Sequence, residues 1–192
     1  CFFDSKDQIY VGTTQGLVTR EGYFDKIITT ADGLSDDHIL SIAEDKYGNI
    51  WVGTDEGGIN VIMPDTLITI TAGQGIGNNR INALYFDNYQ NLWVGTDGAG
   101  AYVFKGFRFK KLNLSEFIET VSITAIKTTP QNRIFVGTSG YGFLSISKKG
   151  RTLFNQSNGL KGNTVKSIEY LPSGHILVGT SQGLSVLKQN SV

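Results

Sequence analysis

One phrase recurs five times along this 192-residue chain at a nearly constant interval. The phrase is Val-Gly-Thr, and its copies start at Val11, Val52, Val94, Val136 and Val178, which are 41, 42, 42 and 42 residues apart. In every copy an aliphatic residue and then a large apolar residue precede the valine. A fixed period of this length is typical of architectures in which one supersecondary unit is stacked on copies of itself. The chain is therefore predicted to be a repeat protein.

The second repeat shows what one unit contains. Residues 38–45 mix branched apolar and polar side chains over a strand-like length, residues 45–49 are turn formers, and residues 50–54 are a second strand. Two more short strands are predicted at residues 59–62 and 67–70. Four short strands in about 42 residues indicate one blade of a β-propeller. Helical periodicity is absent, and a single helical turn is expected at residues 114–120.

The predicted fold class is therefore all-β, a β-propeller of four-stranded blades with about five repeats present. The blades are predicted near residues 1–30, 31–72, 73–114, 115–156 and 157–192, and together they make one domain. The fifth unit has no fourth strand, and the first lacks part of its innermost strand. We therefore expect an open arc, a segment of a larger propeller. Its exposed faces would carry apolar side chains such as Phe2, Phe3 and Val165, which would favour self-association.

The repeated phrase is predicted to build the fold and not a ligand site. The large residue before each valine, for example Trp51 or Trp93, recurs at the same place in every unit, which favours packing between neighbouring sheets. The glycine after each valine is expected to let adjacent sheets approach closely.

Composition excludes several classes of function. The net charge is zero, although residues 1–104 carry 5 Lys/Arg against 14 Asp/Glu and residues 105–192 carry 12 against 3. The basic residues at 105, 108, 110 and 111 lie on a predicted outer strand without a nucleic-acid-binding motif, so no nucleic-acid partner is expected. No apolar run approaches 18 residues, so any attachment to a membrane would have to come from flanking segments.

No catalytic, metal or cofactor site is predicted. The two histidines and the single cysteine show no metal-ligand spacing. The run Gly-Thr-Ser-Gln-Gly at residues 179–183 matches the nucleophile-elbow pattern, but that elbow must join a strand to a helix and this run joins two strands. The segment itself is therefore not expected to be an enzyme.

The second and third units resemble a known repeat. The second contains Gly-Leu-Ser at residues 33–35, Asp-Lys-Tyr-Gly-Asn-Ile-Trp-Val-Gly-Thr at 45–54 and Gly-Gly-Ile at 57–59, and the third matches it over 87–96. This pattern resembles the two-component regulator propeller repeat. The first, fourth and fifth units are looser, since none of them has the Trp, and Thr129 and Leu171 replace the Asp of the turn in the last two.

The resemblance implies the sensor portion of a bacterial hybrid histidine kinase, on the periplasmic or extracellular side of the membrane. It implies a ligand-sensing module for a glycan or another polar small molecule, within a propeller of about seven blades. Two alternatives stay open: a protein–protein interaction propeller without a small ligand, and a propeller glycoside hydrolase or lyase.

The hydrolase alternative rests on a weaker similarity. Asp45, Gly48 and Trp51 resemble the Asp-box turn of sialidase-like propellers, with different spacing. A sialidase-like site also needs a cluster of arginines. The chain has five arginines, and three of them fall on or beside predicted outer strands.

A ligand site is predicted on one face of the propeller. The loop into each innermost strand and the turn between the second and third strands emerge on the same face, where converging polar groups suit a hydroxyl-rich ligand. The predicted ligand-binding residues on this face are Asp36, Asp37, His38, Asp55, Glu56, Asn79, Arg80, Asp97, Tyr141, Asn163 and Gln182.

Overall fold

The computed structural model describes residues 1–21, 24–105, 108–114 and 120–188. It contains four four-stranded sheets and one three-stranded sheet, all antiparallel, and within each sheet consecutive strands are neighbours. This up-and-down order and the five repeats confirm the predicted all-β propeller fold.

Each sheet forms one blade, in chain order. The first blade contains β1 (Phe2–Phe3), β2 (Ile9–Thr13), β3 (Gly16–Glu21) and β4 (Phe24–Ile28). The second contains β5 (Ile39–Glu44), β6 (Ile50–Thr54), β7 (Ile59–Met63) and β8 (Thr66–Ile70). The third contains β9 (Ile81–Phe86), β10 (Leu92–Thr96), β11 (Ala101–Lys105) and β12 (Arg108–Lys111). The fourth contains β13 (Ile123–Thr128), β14 (Ile134–Thr138), β15 (Phe143–Ser147) and β16 (Gly150–Phe154), and the fifth β17 (Val165–Tyr170), β18 (His175–Thr180) and β19 (Gly183–Lys188).

The turn between the first and second strands has the same backbone in every blade. Its next-to-last residue adopts a left-handed conformation, with φ between 60° and 83° at Asp7, Gly48, Gln90, Asn132 and Gly174. Glycine occupies two of these five positions, and side chains that tolerate this region less readily occupy the others.

Blades pack on one another at the Val-Gly-Thr glycine, as predicted. A Cβ placed on Gly95 would lie 2.7 Å from Cγ2 of Ile123, the first residue of the next innermost strand. The same 2.7 Å approach occurs from Gly12 to Ile39, and it recurs at the equivalent glycines of the second and fourth blades. Only a residue without a side chain permits this contact.

The last blade exposes side chains whose equivalents are buried in the other blades. On the third strand of each blade, one residue pairs with the glycine of the Val-Gly-Thr phrase. This residue is fully buried in the first four blades, whereas its equivalent in the fifth blade, Leu184, is 56% exposed. Val186 on the same strand is 57% exposed. Of the side chains expected on exposed faces, Phe3 is exposed, but Val165 is fully buried because it packs on Gly137 of the fourth blade.

Short helices enter three of the loops between blades, which the sequence pattern did not predict. They are 3-10 helices at Thr30–Asp32, Ala72–Gln74 and Gln156–Asn158. Each follows the fourth strand of its blade and leads toward the next innermost strand. The helical turn expected at residues 114–120 falls mainly on residues 115–119, outside the described residues.

Candidate functional site

Each complete innermost strand carries a β-bulge at the same repeat position. In the second blade Ile39 pairs with Thr54 and Ser41 with Gly53, so Leu40 between them has no partner in the ladder. Asn82, Thr124 and Lys166 are skipped in the same way in the next three blades. A bulge releases one residue from the ladder and redirects its side chain. We call Leu40, Asn82, Thr124 and Lys166 the bulge ring.

The bulge ring lines the centre of the arc. A cavity of about 420 Å³ is bordered by all four of its members. A second cavity of about 470 Å³ shares Leu40, Asn82 and Lys166 with the first and is lined by innermost-strand residues of all five blades. The two cavities are therefore adjacent, and we refer to them together as the central channel. The second cavity is lined in part by apolar side chains such as Ile42 and Leu84.

One end of the channel is ringed by charged and hydroxyl groups, which we call the channel mouth: His38, Asp55, Arg80, Asp97, Ser122 and Ser139. Arg80, Asp97, Ser122 and Ser139 line the cavity directly. All six residues occupy two repeat positions, the residue before an innermost strand or the residue after a second strand. The fold therefore brings them together from three consecutive blades.

Ion pairs link the members of the channel mouth from blade to blade. Nη1 of Arg80 lies 2.8 Å from Oδ1 of Asp55 in the preceding blade, and Nε of Arg80 lies 3.9 Å from Oδ2 of Asp97 in its own blade. Nδ1 of His38 lies 3.2 Å from the other carboxylate oxygen of Asp55. Ser122, in the fourth blade, donates its hydroxyl to Asp97.

Arg80 and Asp55 form the shortest ion pair of the channel mouth. Nη1 of Arg80 lies 2.8 Å from Oδ1 of Asp55, and this carboxylate oxygen is buried. Arg80 therefore neutralises Asp55, and Asp55 in turn holds the Arg80 guanidinium in place at the edge of the cavity.

The structure thus brings together four of the predicted ligand-binding residues, His38, Asp55, Arg80 and Asp97. Three more stay on the same face. Glu56 is exposed in the turn beside Asp55, and Tyr141 is 49% exposed in the equivalent turn of the fourth blade. Gln182 accepts a hydrogen bond from the side chain of Gln156 at 2.9 Å, so its carbonyl oxygen is already engaged.

Asp37, Asn79 and Asn163 have a structural arrangement that the sequence pattern did not reveal. Their side-chain oxygens accept from the first backbone N–H of the three 3-10 helices, at 2.6, 2.7 and 2.8 Å. Their backbone carbonyls accept from a glycine N–H in the second-to-third-strand turn of the preceding blade, at 2.7 to 3.0 Å. These side chains therefore fasten the loops between blades, which leaves their oxygens less available to a ligand.

Asp36 is likewise held by backbone groups. Its carboxylate accepts from the N–H of His38 at 3.0 Å and from the N–H of Glu56 at 2.7 Å. Burial alone would raise the pKa of Asp36, but these backbone donors outweigh it and lower the pKa below its ordinary value. Asp36 thus joins the two loops that carry His38 and Asp55, and it positions the channel mouth.

The residues that the sequence reasoning missed are the bulge ring and the two serines of the channel mouth. A signal was present in the repeats. The residues that flank the bulge stay similar, with Ile or Val before it and Ser or Ala after it, while the bulged residue changes from Leu to Asn, Thr and Lys. Similar flanks around a chemically variable position indicate a constant backbone that presents different side chains.

A further cavity of about 410 Å³ lies between the third and fourth blades. It is lined by Tyr89, Trp93, Lys105, Thr128 and Asn132, among others. Thr128 occupies the strand position that Phe86 fills in the preceding blade, where the Phe86 ring packs on a tryptophan at 5.6 Å. The smaller residue therefore leaves a groove beside Trp93.

Among the residues that the structure describes, no cluster of three or more His, Cys, Asp or Glu side chains has the geometry to hold a metal ion. No helix among them is long and apolar enough to cross a membrane.

The model of the two-component regulator propeller family matches two stretches of the chain, residues 33–56 and 75–98. Both contain a turn aspartate, an Ile-Trp-Val or Leu-Trp-Val strand and the residues of the channel mouth that follow it. These are two-component regulator propeller repeats. No curated protein matches the chain by sequence.

Several solved structures are similar to this chain in fold. The extracellular domain of BT3049 from B. thetaiotaomicron, assigned to the hybrid two-component systems, superimposes with a TM-score of 0.83 at 23% identity over 97% of this chain. The extracellular domain of BT4673 from B. thetaiotaomicron, given the same assignment, has a TM-score of 0.78 at 22% identity over 94% of this chain. PorZ of Porphyromonas gingivalis, a surface component of the type-IX secretion system, has a TM-score of 0.72 at 16% identity over 97%. This chain spans 27%, 26% and 31% of the lengths of these three chains.

Proposed function

We propose that this chain is a ligand-sensing propeller module of a bacterial two-component sensor, on the periplasmic or extracellular side of the membrane. We further propose that it recognises a glycan or another polar small molecule at the channel mouth. The two matched repeats and the fold shared with extracellular domains of B. thetaiotaomicron support the first part. The second part rests on the geometry of the central channel.

The observation that carries the ligand proposal is the continuity of the channel mouth with the bulge ring. Donors and acceptors from three blades surround one opening. Hydroxyl-rich molecules need several such groups in fixed positions around a concave surface. The ion pairs of Arg80 with Asp55 and Asp97 hold these groups in place before a ligand arrives, which lowers the entropic cost of binding.

The test is direct binding by the purified protein. A panel of neutral and acidic oligosaccharides is titrated by calorimetry, first with the wild-type protein and then with Tyr141→Ala and Arg80→Gln. Tyr141→Ala removes an exposed ring without touching the ion pairs, so the melting temperature should stay unchanged while affinity for a bound saccharide falls about tenfold. Arg80→Gln should weaken binding by a similar factor, because the glutamine no longer holds the two carboxylates.

Matched controls lie elsewhere on the molecule. Tyr47 is 78% exposed, in a turn between a first and a second strand, and Arg108 lies on the outer strand β12, so Tyr47→Ala and Arg108→Gln should leave affinity unchanged. Absence of saccharide binding, or equal effects of the site and control variants, would refute the proposed site. Turnover of a bound glycoside would instead support the hydrolase alternative.

A protein-binding propeller is the second candidate. PorZ, a bacterial surface component, shares the fold. Capture of a specific protein by the purified chain, together with no saccharide binding, would favour this candidate.

A further inference from the structure

We infer that the bulge ring selects the ligand, and that Lys166 makes the channel take a molecule with a carboxylate or sulfate group on a hydroxyl-rich framework. This inference rests on the proposed function, since it names the ligand class for the same channel. Its basis is the geometry and charge of the four bulged positions.

At each bulge, the residue that can contact a ligand is distinct from the residues that build the fold. The flanking residues Ile123 and Ala125 are buried between blades and pair with the second strand, so they cannot change without disturbing the packing. Thr124 between them pairs with nothing in the ladder and borders the channel. Bulges occur preferentially beside functional sites because they redirect a side chain without interrupting the sheet.

The repetition makes this arrangement more than a local irregularity. Four successive blades carry the bulge in the same register, and each bulged side chain lines the same cavity. A purely structural device would be expected to use similar residues in all four blades, as the flanking positions do. The four bulged residues instead provide an aliphatic surface, an amide, a hydroxyl and an ammonium group around one channel.

The chemistry of the ring points to a polar ligand. The side-chain amide of Asn82 forms no hydrogen bond within the described part of the protein, so it can both donate to and accept from a ligand. The hydroxyl of Thr124 donates to the carbonyl oxygen of Val165 at 2.7 Å, which leaves its lone pairs for an incoming donor. Leu40 adds an apolar surface to the lining of the same cavity.

The charge of the ring points to an anion. Three charged side chains line the two channel cavities, and Arg80 and Asp97 already pair with each other. Lys166 is the third, and its ammonium group has no ion pair or hydrogen bond among the described residues. The exposed Lys166 side chain borders both cavities, and an ammonium group at such a site attracts a carboxylate or sulfate through a charge-assisted hydrogen bond. Among the described residues, Lys166 is therefore the one cationic side chain of the channel that no carboxylate neutralises. It occupies the bulged position, which pairs with nothing in the ladder.

Paired probes that differ only in charge test the inference. An oligogalacturonate is compared with its methyl ester, and a sulfated oligosaccharide with its desulfated form, so that the two pairs distinguish a carboxylate from a sulfate ligand. At least one anionic probe should bind the wild-type protein about tenfold or more tightly than its neutral counterpart, and that preference should shrink at high salt.

Variants of Lys166 connect the preference to the ring. Lys166→Gln should lower affinity for the anionic probe about tenfold and leave affinity for the neutral probe unchanged, whereas Lys166→Arg should retain most of the affinity. Lys161→Gln is the control, because Lys161 is exposed on the same blade outside the two cavities. Acetylation of lysines followed by mass spectrometry gives a second readout, in which the bound anionic probe should protect Lys166 but not Lys148 on the outer hairpin.

The outcomes separate this inference from the proposed function. If charged and neutral probes bind equally, or if Lys166→Gln has no effect while Tyr141→Ala still weakens binding, the channel binds saccharides but the selection by Lys166 is refuted. If no saccharide binds the wild-type protein, the proposed function fails and this inference fails with it.

Discussion

The indole N–H of Trp93 donates to Oδ2 of Asp87 at 2.9 Å, and Trp51 makes the same bond to Asp45 at 3.1 Å. In each pair the other carboxylate oxygen accepts two backbone N–H groups of the turn between the first and second strands. One aspartate therefore closes the turn and also satisfies the polar group of a core aromatic. In the fourth blade Thr129 and Phe135 replace this pair, and phenylalanine has no N–H that requires an acceptor.

We expect Asp87 and Trp93 to be energetically coupled. Asp87→Ala leaves the indole N–H and the turn N–H groups without their acceptor, and each buried unsatisfied group costs about 1–3 kcal/mol. Combined with Trp93→Phe in a double-mutant cycle of urea unfolding, it should give a coupling free energy of about 1 kcal/mol. The Thr129→Ala and Phe135→Leu pair should give a much smaller coupling, and equal coupling in the two blades would contradict the assigned role of the indole bond.

Trp93 is predicted to be a core residue and not a stacking platform. Its side chain is only 9% exposed, so Trp93→Ala should reduce the free energy of unfolding by about 3–5 kcal/mol. Tyr89 lies in the turn that precedes β10 and is 64% exposed, so Tyr89→Ala should change stability by less than about 0.5 kcal/mol. Thermal unfolding followed by circular dichroism checks both variants. A Trp93→Ala protein that keeps its stability but loses a saccharide ligand would show that the groove beside Trp93 is the binding site.

The close approach of blades predicts the effect of adding one methyl group. Gly95→Ala places a carbon 2.7 Å from the Ile123 side chain and should cost about 1–3 kcal/mol, because the neighbouring blade must shift. Gly73→Ala is the control, since its new carbon would meet nothing closer than 3.7 Å. Chemical denaturation measures the free energy of unfolding of both variants. If Gly95→Ala leaves this free energy unchanged, the close contact between the two blades does not contribute to stability.

Asn79 was predicted from the sequence to bind a ligand, and its contacts instead predict an effect on stability. Asn79→Ala removes the acceptor for the N–H of Ala72 and should lower the free energy of unfolding by about 1 kcal/mol. Affinity for a saccharide bound at the channel mouth should remain unchanged. Asn88→Ala, at an exposed position, is the matched control. A stable Asn79→Ala variant with weakened ligand binding would restore the original prediction.

Stability should decline in acid because of Asp45. Burial alone would raise the pKa of Asp45, but hydrogen bonds from the side chains of Asn49 and Trp51 and from the turn backbone outweigh it and lower the pKa. Asp45 has a higher pKa in the unfolded chain than in the folded protein, so the unfolded chain takes up a proton first as the pH falls. The contribution of the Asp45 carboxylate to the free energy of unfolding is therefore fully present well above pH 4 and is lost as the pH falls through the lowered pKa.

Unfolding measured between about pH 6 and pH 3 checks this prediction. Asp45→Asn should lose less stability over this range than the wild type, because the titrating group is gone. Asp65→Asn, in an exposed turn, should follow the wild-type curve. Identical slopes for Asp45→Asn and the wild type would show that the Asp45 carboxylate does not drive the acid sensitivity.

Sequence alone was sufficient for the features that are local and repeated. The Val-Gly-Thr period predicted the blades, the alternation of apolar residues and turn formers located the strands, and the glycine of each phrase predicted the contact between sheets, as Gly95 and Ile123 confirm. Each of these depends on neighbours in the chain or on one contact that every blade repeats.

The tertiary structure alone decided which polar side chains face the channel. Asp37 and Asp55 are both acidic residues in loops on the same face, yet one fastens a 3-10 helix and the other joins an ion-pair chain across blades. Lys166 faces the channel because its strand skips one position in the pairing with β18. A bulge is a mismatch of register between two strands, and loop fastening depends on groups brought together from different blades. Neither is encoded in the order of residues along one strand, so both emerge only once the sheets have formed and packed.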